Sequence, residues 1–339
     1  MAQCEAMPQV DVKNSDARAH AKGSATGDRG RQADSPTDVP PSGWKDILLR
    51  TKDEIAKDNL SIVAAGVAFY GFVAFVPALG ATISVYALVN DPASVQQHLD
   101  VLARVIPGEA MPLIEEQVQR LSSAESAAGW GAIVSFAVAL FGSSAAVKAL
   151  IQGLNVAYDE EEKRGFIKLQ LIGVALALCA VVGAVVALGL LAVAPSLVEW
   201  MHFSAGAQTL VTWLRWPLLA GAFATALAVL YRFGPSRHEP QWKWLSWGAA
   251  TATGLWIAGS AVFSLYVSTL GNYEKTYGSL GALVVFLFWL FLSAFTVLVG
   301  AELNSEMERQ TKKDTTKGPE KPMGRRGAFS ADTVGEAKD

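Results

Sequence analysis

Ser144 and Lys148 stand four residues apart in FGSSAAVKALIQGLN, a spacing that puts a hydroxyl and an ammonium on one face of a helix. A serine beside an amine base is an activated nucleophile, so the spacing admits a Ser–Lys dyad. No oxyanion site is identifiable nearby, and both residue types are common in such helices, so the pair does not establish catalysis. His20, His98, His202 and His238 are scattered without metal-ligand spacing. No glycine loop of the Walker type occurs, which argues against an ATP-driven pump in this chain. The sequence therefore assigns no catalytic residue, metal ligand or cofactor, and the expectation is a protein that is not an enzyme.

A different chemistry is suggested by charges set into apolar sequence. Lys148 lies about 18 residues, or roughly 27 Å of helix, beyond Trp130, near the end of its segment. Either it snorkels to the surface or it belongs to a functional group, because intramembrane charges are functional candidates by default. Glu302 sits at comparable depth in the last apolar segment, so the expectation is a polar cluster of Lys148, Glu302 and Asn155 at an inner mouth. Pro77 has no amide donor and clashes with the Val73 carbonyl, which predicts a kink. That kink either borders a cavity or lets the helix wrap the bundle. Tyr70, on the same segment, would line a substrate path. In NYEKTYGSLG, Tyr273 and Tyr277 suit a membrane interface, while Gly278 and Gly281 allow a tight turn. Those four residues would shape the outer mouth.

The elements that must hold these residues are helices in a bilayer. Of the 339 residues, 51% are apolar and only 17% charged, and mean hydropathy is +0.29. Six apolar segments, 62–89, 130–157, 167–194, 209–231, 244–270 and 280–302, reach the ~20 residues needed to cross a bilayer core. The fold expected is all-α: a polytopic integral membrane protein with six transmembrane helices. Residues 93–123 read as a short amphipathic helical hairpin, broken at Pro107-Gly108, between the first and second. It either forms a lid or rests on the membrane. Residues 44–61 form an amphipathic juxtamembrane helix, with Lys45, Arg50, Lys52 and Lys57 interrupting its apolar face. It lies on the membrane surface, basic side wet, or docks on other protein segments. The domain reading is a disordered tail over 1–43, the six-helix domain over 62–304 and a disordered tail over 305–339.

Lysine and arginine set the orientation. The first tail, the loops around 163–168 and 232–243, and the last tail carry most of them, so both termini are expected in the cytoplasm. No cleavable signal peptide is apparent, and the first membrane helix would serve as the signal. Cys4 and Cys179 lie in unlike settings and are not expected to pair. A net charge of −3 with mixed tails gives no footprint for nucleic acid. The partners expected are membrane lipids, a small solute or lipid, and a second copy of the chain.

Three stretches together resemble the YihY/BrkB family of bacterial inner-membrane proteins, whose members also go under UPF0761. AAGVAFYGFVAFVPAL is similar to the family's first membrane helix, with its Phe-x-Pro end. ALIQGLNVAYDEEEKRGF is similar to its Leu-Asn-x-x-Tyr segment after the second helix. YGSLGALVVFLFWLFLSAFTVLVGAELNSEMER is similar to its Tyr-Gly-Ser-Leu-Gly opening, internal Trp and closing Gly-Ala-Glu-Leu-Asn. The resemblance covers residues 44–309. Some relatives carry an arginine near the middle of the second helix; here Ala145 stands close to that place and Lys148 is the nearest base, so that charge does not carry over directly. The resemblance implies inner-membrane residence, and it brings two labels, serum resistance and ribonuclease BN. The second suits this sequence poorly, which lacks a metal-binding cluster and a basic groove. Three readings stay open: a gradient-driven transporter or exporter of a lipid or solute, a non-transporting scaffold for the envelope, and a tRNA-processing enzyme.

Overall fold

The computed structural model describes residues 29–89, 130–200, 205–269 and 280–338. Helix α1 spans Pro41–Lys57 and α2 Leu60–Val89. They are followed by α3, Trp130–Ala157; α4, Phe166–Trp200; α5, Ala205–Phe233; α6, Trp242–Thr269; α7, Leu280–Glu308; and the short α8, Phe329–Asp332. Among the described residues there is no strand, only an isolated bridge between Pro240 and Thr316. Helices α3 to α7 are long and apolar enough to cross a membrane, and α2 joins them through a bent pairing with α1. The six expected spans are therefore the six long helices. The expected hairpin at 93–123 lies outside the described residues.

Helices α2 to α7 form a closed circuit in which each packs on the next and α7 returns to α2. Its two sides differ. Helix α2 also reaches α4, and α7 reaches α3, so that side is filled; α5 packs mainly on its neighbours α4 and α6. Of α7's most apolar stretch, 39% is buried, against 6% for α5. Close approach of small residues explains the tight side, because lipid offers no hydrophobic drive to separate helix from solvent. A side chain on Gly300 would lie 2.6 Å from the Gly248 carbonyl oxygen, and one on Gly248 would collide with the Gly300 carbonyl. The α6 and α7 backbones therefore touch. Helix α2 continues through Pro77, whose ring packs on Gly142 of α3: a Cβ there would meet it at 3.1 Å. Pro77 thus belongs to the α2–α3 contact.

Helix α1 starts on a proline, whose missing amide costs nothing at a helix start. It bends 64° into α2 at Asp58–Asn59, where Asn59 takes a left-handed φ of 50° that asparagine tolerates. Of the two readings of this helix, docking is the one found. Ile47 is fully buried with Leu303 and Met307 of α7. Arg50, expected on a wet basic face, is 4% exposed and ion-paired with Glu306.

The two tails also differ from expectation. Residues 29–43 and 305–338, read as disordered from composition, are braided over one end of the bundle. The Gln310 side chain reaches the Arg29 carbonyl, Arg31 donates to the Gly335 carbonyl, and Asp46 accepts from the Lys338 amide at 2.9 Å. Arg326, nearly buried, donates to the carbonyls of Lys312, Lys313 and Ala331. Backbone carbonyls satisfied by arginines hold this cap. A hydrophobicity pattern does not register such contacts.

Candidate functional site

Polar side chains gather at this tail-bearing end, in two groups. The first is built on the run Gly300-Ala301-Glu302-Leu303-Asn304 near the end of α7. Helical spacing sends its members to different neighbours. Gly300 admits the α6 backbone, and Asn304 Oδ1 accepts the Gly248 amide at 2.9 Å. Tyr231 of α5 fixes the same region by donating to the Val297 carbonyl at 2.7 Å. Glu302 is 2% exposed and its Oε2 has no hydrogen-bond partner. The charged groups acting on it most strongly are all carboxylates: Asp58, Glu306, Glu54 and Asp159. Arg50 and Arg309 are spent on Glu306, and Arg309 also reaches Glu54 at 3.4 Å. Burial, and then the nearby Asp159 carboxylate, push the Asp58 carboxyl up to about 6.

The second group lies where α4 begins and α5 ends. A cavity of about 630 Å³ is lined by Lys168 and Ile172 of α4 and by Arg232 and Phe233 of α5, and closed by the loops at 163–165 and 235–239 and by Gly327 of the tail. Asn155, at the end of α3, ties the two loops: its Nδ2 donates to Glu162 at 3.0 Å and its Oδ1 accepts the Ser236 amide at 2.8 Å. Arg164, donating to Glu162, holds that carboxyl down at about 2. Behind the wall, Arg237 and Glu308 form an ion pair of 2.6 Å with neither side chain exposed, and Arg237 lies over the Tyr158 ring at 4.9 Å.

The expected cluster of Lys148, Asn155 and Glu302 is not assembled. Lys148 Nζ donates to Gln170 Oε1 of α4 at 2.7 Å, with its stem against Gly173. Asn155 serves the cavity wall and Glu302 the carboxylate group. Lys148 is long enough to reach across the α3–α4 contact, where the Gln170 amide supplies an acceptor. Ser144 and Lys148 are likewise not joined directly. Gln170 stands between them, donating to Ser144 Oγ at 3.1 Å, while Ser144 donates to the Phe141 carbonyl. Tyr70 is half exposed and meets the Phe69 ring edge-on. Gly281 is buried in the first turn of α7. Tyr273, Tyr277 and Gly278 lie outside the described residues. Among those described, no three His, Cys, Asp or Glu are placed to hold a metal ion together.

The sequence reading missed Gln170, Ser236, Arg232 and Arg237 as members of a site. The last two figured only as markers of orientation. The fact that two basic loops flank the same pair of helices was the available signal.

A six-helix circuit whose charged side chains gather mainly at one end among the described residues defines a polytopic membrane protein. The virulence factor BrkB family matches residues 51–324 of this chain, and the chain belongs to that family. A ribonuclease-like protein, YfkH, of Bacillus subtilis is 31% identical over 227 residues, 65% of this chain and 81% of that protein. A UPF0761 membrane protein of Laribacter hongkongensis is 41% identical over 81 residues, 24% of this chain and 19% of its own length. Another, of Chlorobium phaeobacteroides, is 25% identical over 269 residues, 77% of this chain and 55% of that protein. No solved structure matches.

Proposed function

We propose that this membrane protein is a gradient-driven transporter of a lipid or amphipathic solute. In this reading it resides in the bacterial inner membrane, with the braided tails in the cytoplasm. The observation that carries the proposal is Glu302: a buried carboxyl with one oxygen unbonded, near other carboxylates, and with no cation paired to it among the described residues. Ionisable groups at such depth are costly and mark ion or proton pathways. A proton arriving there changes the charge that the ends of α1, α2 and α7 must accommodate together, which links a gradient to helix position. Asp58 sits at the α1–α2 bend and titrates near 6, so the bend responds to the same protons.

The uneven circuit supports an amphipathic cargo. Helix α5 leaves Leu210, Trp213 and Leu218 exposed, and α4 leaves Leu171, Val182 and Val186 exposed, an apolar surface beside a polar end. The rival scaffold role is favoured by the close packing of α2 on α3 and of α6 on α7. The ribonuclease-like name of the Bacillus relative is not adopted for this chain, which we take not to be an enzyme.

Reconstitution in vesicles decides between transport and scaffold. Wild-type protein should accelerate movement of a fluorescent phospholipid or amphipathic anion under an inward proton gradient. Glu302→Gln should reduce that rate about tenfold or more, the loss expected when an essential proton-carrying group is removed. Equal rates with and without protein would leave the scaffold.

A further inference from the structure

We infer that the cavity at the end of the α4–α5 seam binds the phosphate headgroup of an anionic phospholipid. The site would exist whether or not the protein transports, so it stands apart from the proposal above. Five cations line the cavity, Lys163, Arg164, Lys168, Arg232 and Arg237, against one carboxylate, Glu239. Carboxylates behind the wall balance some of them: Glu162 holds Arg164, Glu308 holds Arg237, and Glu160 stands 3.6 Å from Lys163. Glu239 itself is engaged by Arg232 at 2.9 Å and by Lys317 at 3.6 Å. Lys168 is exposed and has no carboxylate partner among the described residues.

Two observations show that the lining still wants an acceptor. Arg232, which lines the cavity, is 5% exposed, and its buried Nε–H meets no acceptor among the described residues. Buried donors of this kind are costly unless something fills them. The start of α4 adds more. Its first internal bond runs from the Leu169 amide to the Gly165 carbonyl, so the amides of Phe166, Ile167 and Lys168 are unpaired by the helix. A phosphate at such a helix start meets both free amides and the positive end of the dipole.

The surroundings select a lipid. Phe166 and Ile167 are 78% and 75% exposed on the same first turn, and Trp242 is half exposed across the mouth. Aromatic rings at helix ends belong at headgroup depth. Arg232 lies over the Trp242 ring at 4.5 Å, which keeps a guanidinium at that level. Below the mouth, Ile172 and Phe233 line the wall, and Leu171 and Leu178 continue the apolar surface along α4. Phosphate donors above and acyl-chain surface below fit an anionic phospholipid, as basic pockets between membrane helices do.

The test uses the full chain in detergent micelles, titrated with phosphatidylglycerol or phosphatidylcholine and read by native mass spectrometry. Phosphatidylglycerol should bind in preference. The double variant Lys163→Ala/Lys168→Ala should weaken it by about tenfold, in keeping with the attraction of two lysines for an anionic headgroup. Lys52→Ala, an exposed cation on α1, should leave binding unchanged. Thermal unfolding without lipid should be the same for all three proteins, because both cavity lysines are exposed. Undiminished binding by the double variant, equal binding of the two lipids, or displacement by millimolar inorganic phosphate would each overturn the inference; the last would mark a site for soluble anions.

Discussion

Asp58 and Glu302 illustrate how one buried end handles acids. Glu306 is neutralised by Arg50 and Arg309, and Glu162 by Arg164, whereas Asp58 is acted on most by Asp159 among its charged neighbours and Glu302 has no ion-pair partner among the described residues. Because the fold raises the Asp58 carboxyl from 3.8 to about 6, its contribution to stability is complete below its ordinary value. It is lost as pH rises through about 6. Thermal unfolding in detergent should therefore show wild type losing stability between about pH 4 and 6, and Asp58→Asn should flatten that part of the curve. A wild-type melting temperature that climbs over this interval would show that Asp58 is not strained. Glu162 behaves oppositely: held at about 2, it stabilises above its ordinary 4.5 and ceases to as pH falls through 2. Residue identity alone could not separate these acids. Glu302 was legible as a candidate from its depth, but the charged groups near it come from α1, the α1–α2 bend and the α3–α4 loop, which only the fold brings together.

At the scale of elements, the helices themselves were readable and their contacts were not. Long runs of hydrocarbon side chains give the six spans almost to their ends: 130–157 is α3 in full, and 62–89 becomes Leu60–Val89. Helix α7 runs on to Glu308, past the expected 302, because Asn304, Ser305 and Glu306 are buried by the tail cap and not by lipid. Gly248 is where α6 meets α7, at the Gly300 backbone. Gly248→Ala should destabilise by about 1–3 kcal/mol, the usual cost of forcing atoms into a packed contact. Gly254→Ala on the same helix has open space around it and should be neutral or slightly stabilising. Melting temperatures of the two variants make the comparison; equal losses would mean that α6 and α7 do not touch at Gly248. Asn155→Ala should also destabilise, by ~1–3 kcal/mol, since the buried Ser236 amide loses its acceptor.

The whole molecule is a circuit of helices, tight on one side and thinly packed on the other, with its polar chemistry at the tail-bearing end. Reading 305–339 as disordered followed composition, which weighs apolar content and cannot weigh an arginine that satisfies several carbonyls at once. Limited trypsin digestion tests the cap. Despite its many lysines and arginines, the tail should be cut slowly in wild type and quickly in Arg326→Ala, which releases the carbonyls of Lys312, Lys313 and Ala331. Immediate cleavage of wild type would contradict the braid. The central claim, that Glu302 couples a gradient to movement of cargo, is tested most directly by proton flow. Vesicles loaded with a pH-sensitive dye and given a cargo gradient should change internal pH when they contain wild-type protein. Vesicles with Glu302→Gln should not, while the variant still melts as wild type. A pH change of equal size in both would contradict the account.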